Sequence, residues 1–237
     1  MALNYVDYQL LTKVLSVKTI IEMFKNLIIE RRIIIVAESL STLSSCVASI
    51  NSLTYPFTWH HIYIPVLPLC LIDYCTAPMP FMVGILKVHL KHLESMPLEE
   101  VVVLDLDNDS FLTKNIKYSF PPTYEVSFKR SLKSLIKLGP SYFSDPQNEV
   151  HPSIDRSKGF EICFTSIFQQ FFFKVFDGYQ DFFNTKSRFD PVAYADTKES
   201  SIKKVIFSVF LNFFFKFFLN FFSLWRNFLC VKCLKCL

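Results

Sequence analysis

The chain has 237 residues, is 51% apolar and carries a formal net charge of +4. That length suits one large domain or two modest ones, and so small a charge gives no argument for nucleic acid. With four glycines in all, neither G-x-G-x-x-G nor G-x-x-x-x-G-K-[ST] can be written, which removes the dinucleotide and P-loop signatures.

Leu10, Leu11, Val14, Leu15, Ile20, Ile21, Phe24, Leu27 and Ile28 recur near helical spacing and predict one amphipathic helix over residues 8–30. Arg31 and Arg32 close it, where cations suit a helix C-terminus. IIIVA (33–37) is a β-branched run bounded by charge and reads as a buried strand. Ser39 or Ser41 caps a following helix over roughly 41–53.

Prolines 56, 65, 68, 78 and 80 then punctuate an apolar, aromatic stretch, YPFTWHHIYIPVLPLCLIDYCTAPMPFMVG. Each proline removes a backbone donor and pushes its predecessor towards extended geometry. Short strands, HHIYI and FMVG, are expected there. A helix near Ile85–Leu93 and a strand within EEVVVLDLD (99–107) follow. Strand and helix alternating at this spacing predict a parallel sheet with helices on both faces.

Residues 112–158 hold one helical stretch near 124–137 and a linker at roughly 139–158, where SDPQNEVHPS has loop composition. FEICFTSIFQQFFFKVFDGYQDFF (160–183) and FDPVAYADTKESSIKKVIFSVF (189–210) read as aromatic helical units. The expected division is an α/β domain over 1–111, a helix and linker over 112–158, a smaller all-α module over 159–210, and a Phe/Cys-rich tail over 211–237.

Three readings of the tail stand side by side. Ser208, Asn212, Lys216 and Asn220, spaced by four, would put a narrow polar stripe on a core helix. Val205–Leu224 approaches the roughly 20 residues that span a bilayer, opposed by Lys216 near its centre and flanked by Lys203, Lys204, Arg226, Lys232 and Lys235. The third reading is a gene-model artefact.

Several groups look chemical. Cys230, Cys233 and Cys236 form C-x-x-C-x-x-C without a fourth ligand, so structural zinc is not specified. Asp105, Asp107 and Asp109 resemble part of a calcium loop, but Ser110 and Ile116 stand where glycine and a bidentate glutamate are needed. They read as a solvated acidic rim. His60 and His61 are adjacent on a strand and point to opposite faces, so they do not share a metal; one is expected to bond to backbone. Trp59 reads as a core aromatic whose N–H finds a partner. Cys46, Cys70 and Cys75 read as buried, reduced thiols, and the first residues lack a basic-then-apolar leader pattern. No nucleophile motif is present, no metal or cofactor is implied, and covalent catalysis is unsupported.

The ordered run LLTKVLSVKTIIEMF, ERRIIIV, LSTLSSCV, YPFTWH, YIPVLP, IDYCTAPMPFMVGI and VVVLDLD, from Leu10 to Phe111, resembles the central part of the DENN domain family, whose members are exchange factors and adaptors for Rab-type small GTPases. LIDYCTAPMPF is similar to the connecdenn branch, while LSTLSSCV and YPFTW are shared with a second branch linked to late-endosomal Rab proteins. The resemblance implies an α/β sheet covered on both faces and followed by a helical module. It implies a Rab GTPase as partner, a membrane surface as a second, and a cytoplasmic place beside endosomal or vesicle membranes. It implies nucleotide exchange without covalent chemistry; a non-catalytic trafficking scaffold, anchored by the tail, is the alternative. Family members open with a longin-like lobe; this chain starts at the helix that opens the central lobe, so that lobe is expected to be absent and the isolated chain inactive. Because open α/β sheets bind ligands beyond the C-terminal ends of their strands, Glu38, Ser39, Pro65 and Asp73 are the expected GTPase contacts.

Overall fold

The computed structural model describes residues 6–98, 100–113, 120, 122–150, 155–177, 181, 191–198 and 203. The tail over 211–237, the polar stripe from Ser208 and the three C-terminal cysteines lie outside these residues. The chain forms two compact units, residues 1–54 with 58–118, and residues 55–57 with 119–237.

In the first unit the expected single helix over 8–30 is two, α1 (Tyr8–Val14) and α2 (Val17–Ile28). The apolar period runs through the break, so periodicity cannot reveal it. Ser16 makes it: its backbone is extended and its hydroxyl accepts from the Thr19 amide at 3.3 Å, which offers α2 an N-cap. Asp7 does the same for α1, accepting from the Leu10 amide at 2.8 Å.

At its other end α2 closes with a Schellman pair. The Arg31 amide donates to the Asn26 carbonyl at 3.1 Å and the Glu30 amide to the Leu27 carbonyl at 3.0 Å. Glu30 therefore takes the left-handed position, φ +51°, where glycine is the usual residue.

Strand β1 (Ile33–Ala37) is buried at every position, as a strand covered on both faces requires. Helix α3 (Leu40–Ser52) is capped by Ser39 rather than Ser41. Strand β2 (Ile62–Ile64), a 3-10 segment (Leu69–Thr76), strand β3 (Phe81–Leu86), a 3-10 turn (Lys87–His89) and helix α4 (Leu90–Glu94) follow. Ile85 and Leu86, expected in a helix, extend β3 instead, because they pair with Val36 and Ala37. Strand β4 (Val102–Asp105) and the short β5 (Ser110–Phe111) complete a five-stranded sheet in the order β2-β3-β1-β4-β5. The first four strands are parallel and β5 returns antiparallel to β4.

Register assigns the two faces. Ile34 lies level with Val83 and Val103, and these three belong to one core with Val36, Phe81, Ile85, Cys75 and Leu93. Ile35 lies level with Gly84 and Leu104 on the opposite face. There a side chain at Gly84 would meet Leu43 of α3 and overlap the Pro65 carbonyl oxygen. The sheet is thus packed on both sides, and the chain is α/β with a predominantly parallel sheet followed by helices.

In the second unit, helix α5 (Pro122–Ser144) extends past the expected 124–137 stretch and breaks at Gly139, φ +70°, just before Pro140. A 3-10 turn (Arg156–Lys158) leads into α6 (Gly159–Phe176), and α7 (Pro191–Asp196) follows. Phenylalanine side chains interlock α5 with α6: Phe128 meets Phe168 edge-on at 5.1 Å, and Phe120, just before α5, stacks on Phe171 at 4.7 Å. Such aromatic pairs add to what burial alone contributes. Among the described residues no helix is long and apolar enough to cross a membrane.

Candidate functional site

Three neighbouring strands, β3, β1 and β4, end at one level. Ala37 pairs with Leu86, and Val36 with Asp105. Glu38 and Lys87, which follow β1 and β3, therefore emerge side by side at the C-terminal edge of the sheet, and Asp107, two residues past Asp105, lies level with them. The Leu106 amide donates to the Val36 carbonyl at 2.9 Å, which extends the pairing to the rim.

This edge is also a topological switch point. The chain leaves β1 through α3 towards β2, and leaves β3 through α4 towards β4, in opposite directions across the sheet. The α3 crossover uses the Leu43 face and the α4 crossover the Leu93 face. Departures that diverge from adjacent strands leave a crevice between them, the usual ligand position in open α/β sheets.

Charge fills the edge. The Lys87 Nζ stands 3.3 Å from Asp107 Oδ2, 3.4 Å from Asp105 Oδ2 and 3.5 Å from Glu38 Oε1. Asp107 Oδ2 also accepts from the Glu38 amide at 3.0 Å. Burial opposes the Lys87 charge, but the bonds to Asp107 and Asp105 outweigh it and hold its pKa above the ordinary value. Burial likewise works against ionised Asp105; the Asn108 side chain and amide, with Lys87, overcome it and hold its carboxyl below the usual range.

The D-x-D-x-D run is thus a solvated rim only in part: Asp107 is exposed, but Asp105 is not. The Asp105 side chain is only 3% exposed. It accepts from the amides of Asp107 at 3.0 Å and Asn108 at 3.3 Å and from Asn108 Nδ2 at 2.8 Å, which ties off the β4–β5 turn. Asp109, φ +46°, accepts from the Ser16 amide at 3.1 Å and so fixes the α1–α2 break. Asp105 and Asp107 share Lys87 and Asp109 bonds elsewhere, and among the described residues no group of three metal-ligating side chains occurs.

Of the four expected contact residues, Glu38 and Ser39 share this edge. Glu38 is 73% exposed at the side chain, and Ser39 accepts from the Thr42 amide at 3.4 Å as the α3 cap. Pro65 does not join them: β2 ends level with Val83, and the Pro65 carbonyl is packed over Gly84. Asp73 lies exposed in the 3-10 segment, its carbonyl accepting from Thr76 Oγ1 at 2.8 Å. Sequence reasoning passed over Lys87; a lone lysine directly after an apolar strand was the available signal. Leu40 and Val88, next to the charged group in sequence, are exposed, as are Leu69, Leu71, Tyr74 and Met79 on and after the 3-10 segment. Apolar side chains around a charged centre suit a protein contact.

His61 stands against a carboxylate, Glu30. One further expectation changes. Cys70 is exposed, whereas Cys46 and Cys75 are buried. Burial, helped by the nearby Asp7 and Asp73 respectively, pushes their thiols up to about 12 and about 11, so neither supplies a thiolate nucleophile at neutral pH. Trp59 is buried as expected, its Nε1 donating to the Ile62 carbonyl at 3.2 Å.

Comparison with known proteins bears on this edge directly, because it lies within the matched segment. The profile of the DENN (AEX-3) domain matches residues 1–109. Mouse DENN domain-containing protein 2C is 50% identical over 110 residues, 46% of this chain and 12% of the relative. Human DENN domain-containing protein 2B is 46% identical over 110 residues, 46% of this chain and 10% of that protein. Mouse DENN domain-containing protein 1B is 40% identical over 119 residues, 50% of this chain and 16% of its length. The chain thus spans a small part of the length of these relatives. Identity is higher to 2C than to 1B, so the leaning towards the connecdenn branch, that of 1B, is not supported. Through the segment that builds β1 to β4, residues 1–109 match the DENN (AEX-3) domain, and over that segment the chain is similar to this family.

Proposed function

We propose that this chain acts as a guanine-nucleotide exchange factor, or as part of one, for a Rab-type small GTPase, at the cytoplasmic face of endosomal or vesicle membranes. The family supports an exchange role, and the observation that carries the reading here is the switch-point edge. Glu38 and Ser39 sit on it, with Lys87 holding the adjoining acids. Exchange needs no covalent step. A factor that binds the nucleotide-free GTPase more tightly than the GDP-bound form lowers GDP affinity by the same ratio, since the coupling is reciprocal. What the surface must supply is differential contact with segments that move when nucleotide leaves.

The four contact residues divide under this reading. Glu38 offers a solvent-facing carboxylate beside exposed Leu40 and Val88, and Ser39 sets the direction of α3. Asp73, with Leu69, Leu71 and Tyr74, would extend the contact along the 3-10 segment. Pro65 acts indirectly, by seating β2 on Gly84.

Release of a fluorescent GDP analogue from a panel of purified Rab proteins tests the reading. Acceleration of at least one Rab protein by the 237-residue chain, alone or with a separately supplied longin lobe, is expected. Binding without acceleration would replace exchange with tethering, and neither binding nor acceleration in either format would overturn the proposal.

A further inference from the structure

Lys87, directly after β3, touches acidic groups at the ends of two other strands, β1 and β4. Its ammonium reaches Glu38 beyond β1, Asp105 at the end of β4 and Asp107 beyond it, at 3.3–3.5 Å. Asp107 in turn accepts the Glu38 amide. Glu38 is therefore held twice, by its side chain through Lys87 and by its backbone through Asp107. The Lys87 side chain is 25% exposed against 73% for Glu38, so Glu38 is the group presented outward and Lys87 lies behind it.

We propose that Lys87 is a positioning residue for partner recognition: it fixes Glu38 and the first turn of α3 in the geometry that the partner meets. This rests on the exchange-factor reading for its consequence but not for its geometry. Without the ammonium, Asp105, Asp107 and Glu38 would face one another as like charges across a few ångströms, which is repulsive. Asp105 cannot move, because three donors in the β4–β5 turn hold it. The mobile partners would yield: Asp107 would turn outward, release the Glu38 amide, and free the β1–α3 connection. Ser39 caps α3 from that same connection, so the helix start would fray with it.

The experiment compares the full 237-residue chain with Lys87→Met, which keeps the length of the stem without the charge, and Lys87→Arg, which keeps the charge. Hydrogen exchange is followed at the amides of residues 38–42 and, as an internal reference, at β1 and β3. In Lys87→Met the 38–42 amides are expected to exchange at least about tenfold faster, with the strands unchanged, and Lys87→Arg to restore most of the protection. In parallel, GDP release is measured on whichever Rab protein the unaltered chain activates, alone or with the supplied longin lobe. There Lys87→Met should lower kcat/KM by roughly tenfold, the order expected when a contact group is misplaced rather than removed, mostly through KM. A Glu38→Gln/Lys87→Met double variant should lose little more than Lys87→Met alone. Unchanged exchange at 38–42 overturns the positioning role outright. Faster exchange with unaltered kinetics on an activated Rab protein overturns its link to recognition. If the unaltered chain activates none, with or without a supplied longin lobe, the exchange reading fails while the amide data still decide the role of Lys87.

Discussion

The Glu30 carboxylate stands 3.2 Å from His61 Nε2, and so joins the turn that ends α2 to the residue that precedes β2. Two costs meet at Glu30. Its backbone occupies the left-handed region, and its side chain is only 8% exposed. A glutamate in that position is understandable only if His61 offsets part of both.

The Glu30 pair makes stability depend on pH in a stated direction. Burial raises the Glu30 pKa above 4.5, and the bond to and charge of His61 lower it only in part. A carboxyl with a raised folded-state pKa contributes fully below its unfolded value and loses that contribution as pH rises through the folded one. Urea unfolding of the unaltered chain should therefore lose stability from about pH 4.5 upward, and Glu30→Gln should flatten that limb. Glu30→Gly removes the strained φ as well, worth about 1 kcal/mol, and should raise Tm at pH 8. A lower Tm there would mean that the His61 contact outweighs both costs.

Gly84 tolerates no side chain. A methyl group there would overlap the Pro65 carbonyl oxygen, which is backbone and cannot rotate away, and the Leu67 amide donates to the Gly84 carbonyl at 2.7 Å from the same connection. Gly84→Ala should cost about 3 kcal/mol, at the upper end of overpacking effects. Chemical denaturation reads it, and a loss under 1 kcal/mol would show that the β2 connection shifts freely.

Asp105 has the opposite pH signature from Glu30. Its pKa is lowered, so its contribution is present above the ordinary carboxylate value near 3.8 and vanishes as pH falls below it towards the folded-state pKa. Asp105→Ala should cost about 3 kcal/mol at pH 7, since it strands Lys87 and two turn amides. The deficit should shrink in acid; a deficit that does not change with pH would place the role of Asp105 in shape rather than charge.

In the helical unit, the buried Tyr194 hydroxyl lies 2.6 Å from the Val175 carbonyl and 2.9 Å from that of Asp177, where α6 runs out of intrahelical donors. Lys198 Nζ reaches the Asp177 carbonyl as well, at 3.0 Å. Burial, with Asp177 and Tyr124 nearby, raises the Tyr194 pKa, so the hydroxyl remains a donor at neutral pH. Tyr194→Phe should destabilise this unit by about 1–2 kcal/mol and speed amide exchange in the last turn of α6. Unaltered exchange there would mean that solvent replaces the hydroxyl.

What could be read from the chain was what local chemistry decides. IIIVA, five apolar residues between charges, is β1 without revision, and a serine cap for α3 is legible, with Ser39 rather than Ser41 taking the position. Once the sheet was inferred, its C-terminal edge led to Glu38 and Ser39. Illegible features depend on a partner distant in sequence. Asp105 is buried yet ionised because Lys87, just past the end of β3, reaches within 3.4 Å of it. Glu30 defies the glycine rule for a helix end because His61 lies across from it. The distance of Pro65 from Glu38 is not legible either, because the length of β2, not its composition, sets how far along β3 the connection sits.

Strand β1 is third in the spatial order but first in the chain, and Ile33 must pair with both Met82 and Val102. During synthesis this apolar, β-branched strand leaves the ribosome with both edges open and waits on the order of seconds for its neighbours. It is the segment a nascent-chain chaperone would have most reason to hold. Release becomes safe only when Asp105 has been made and the last parallel strand can close the sheet.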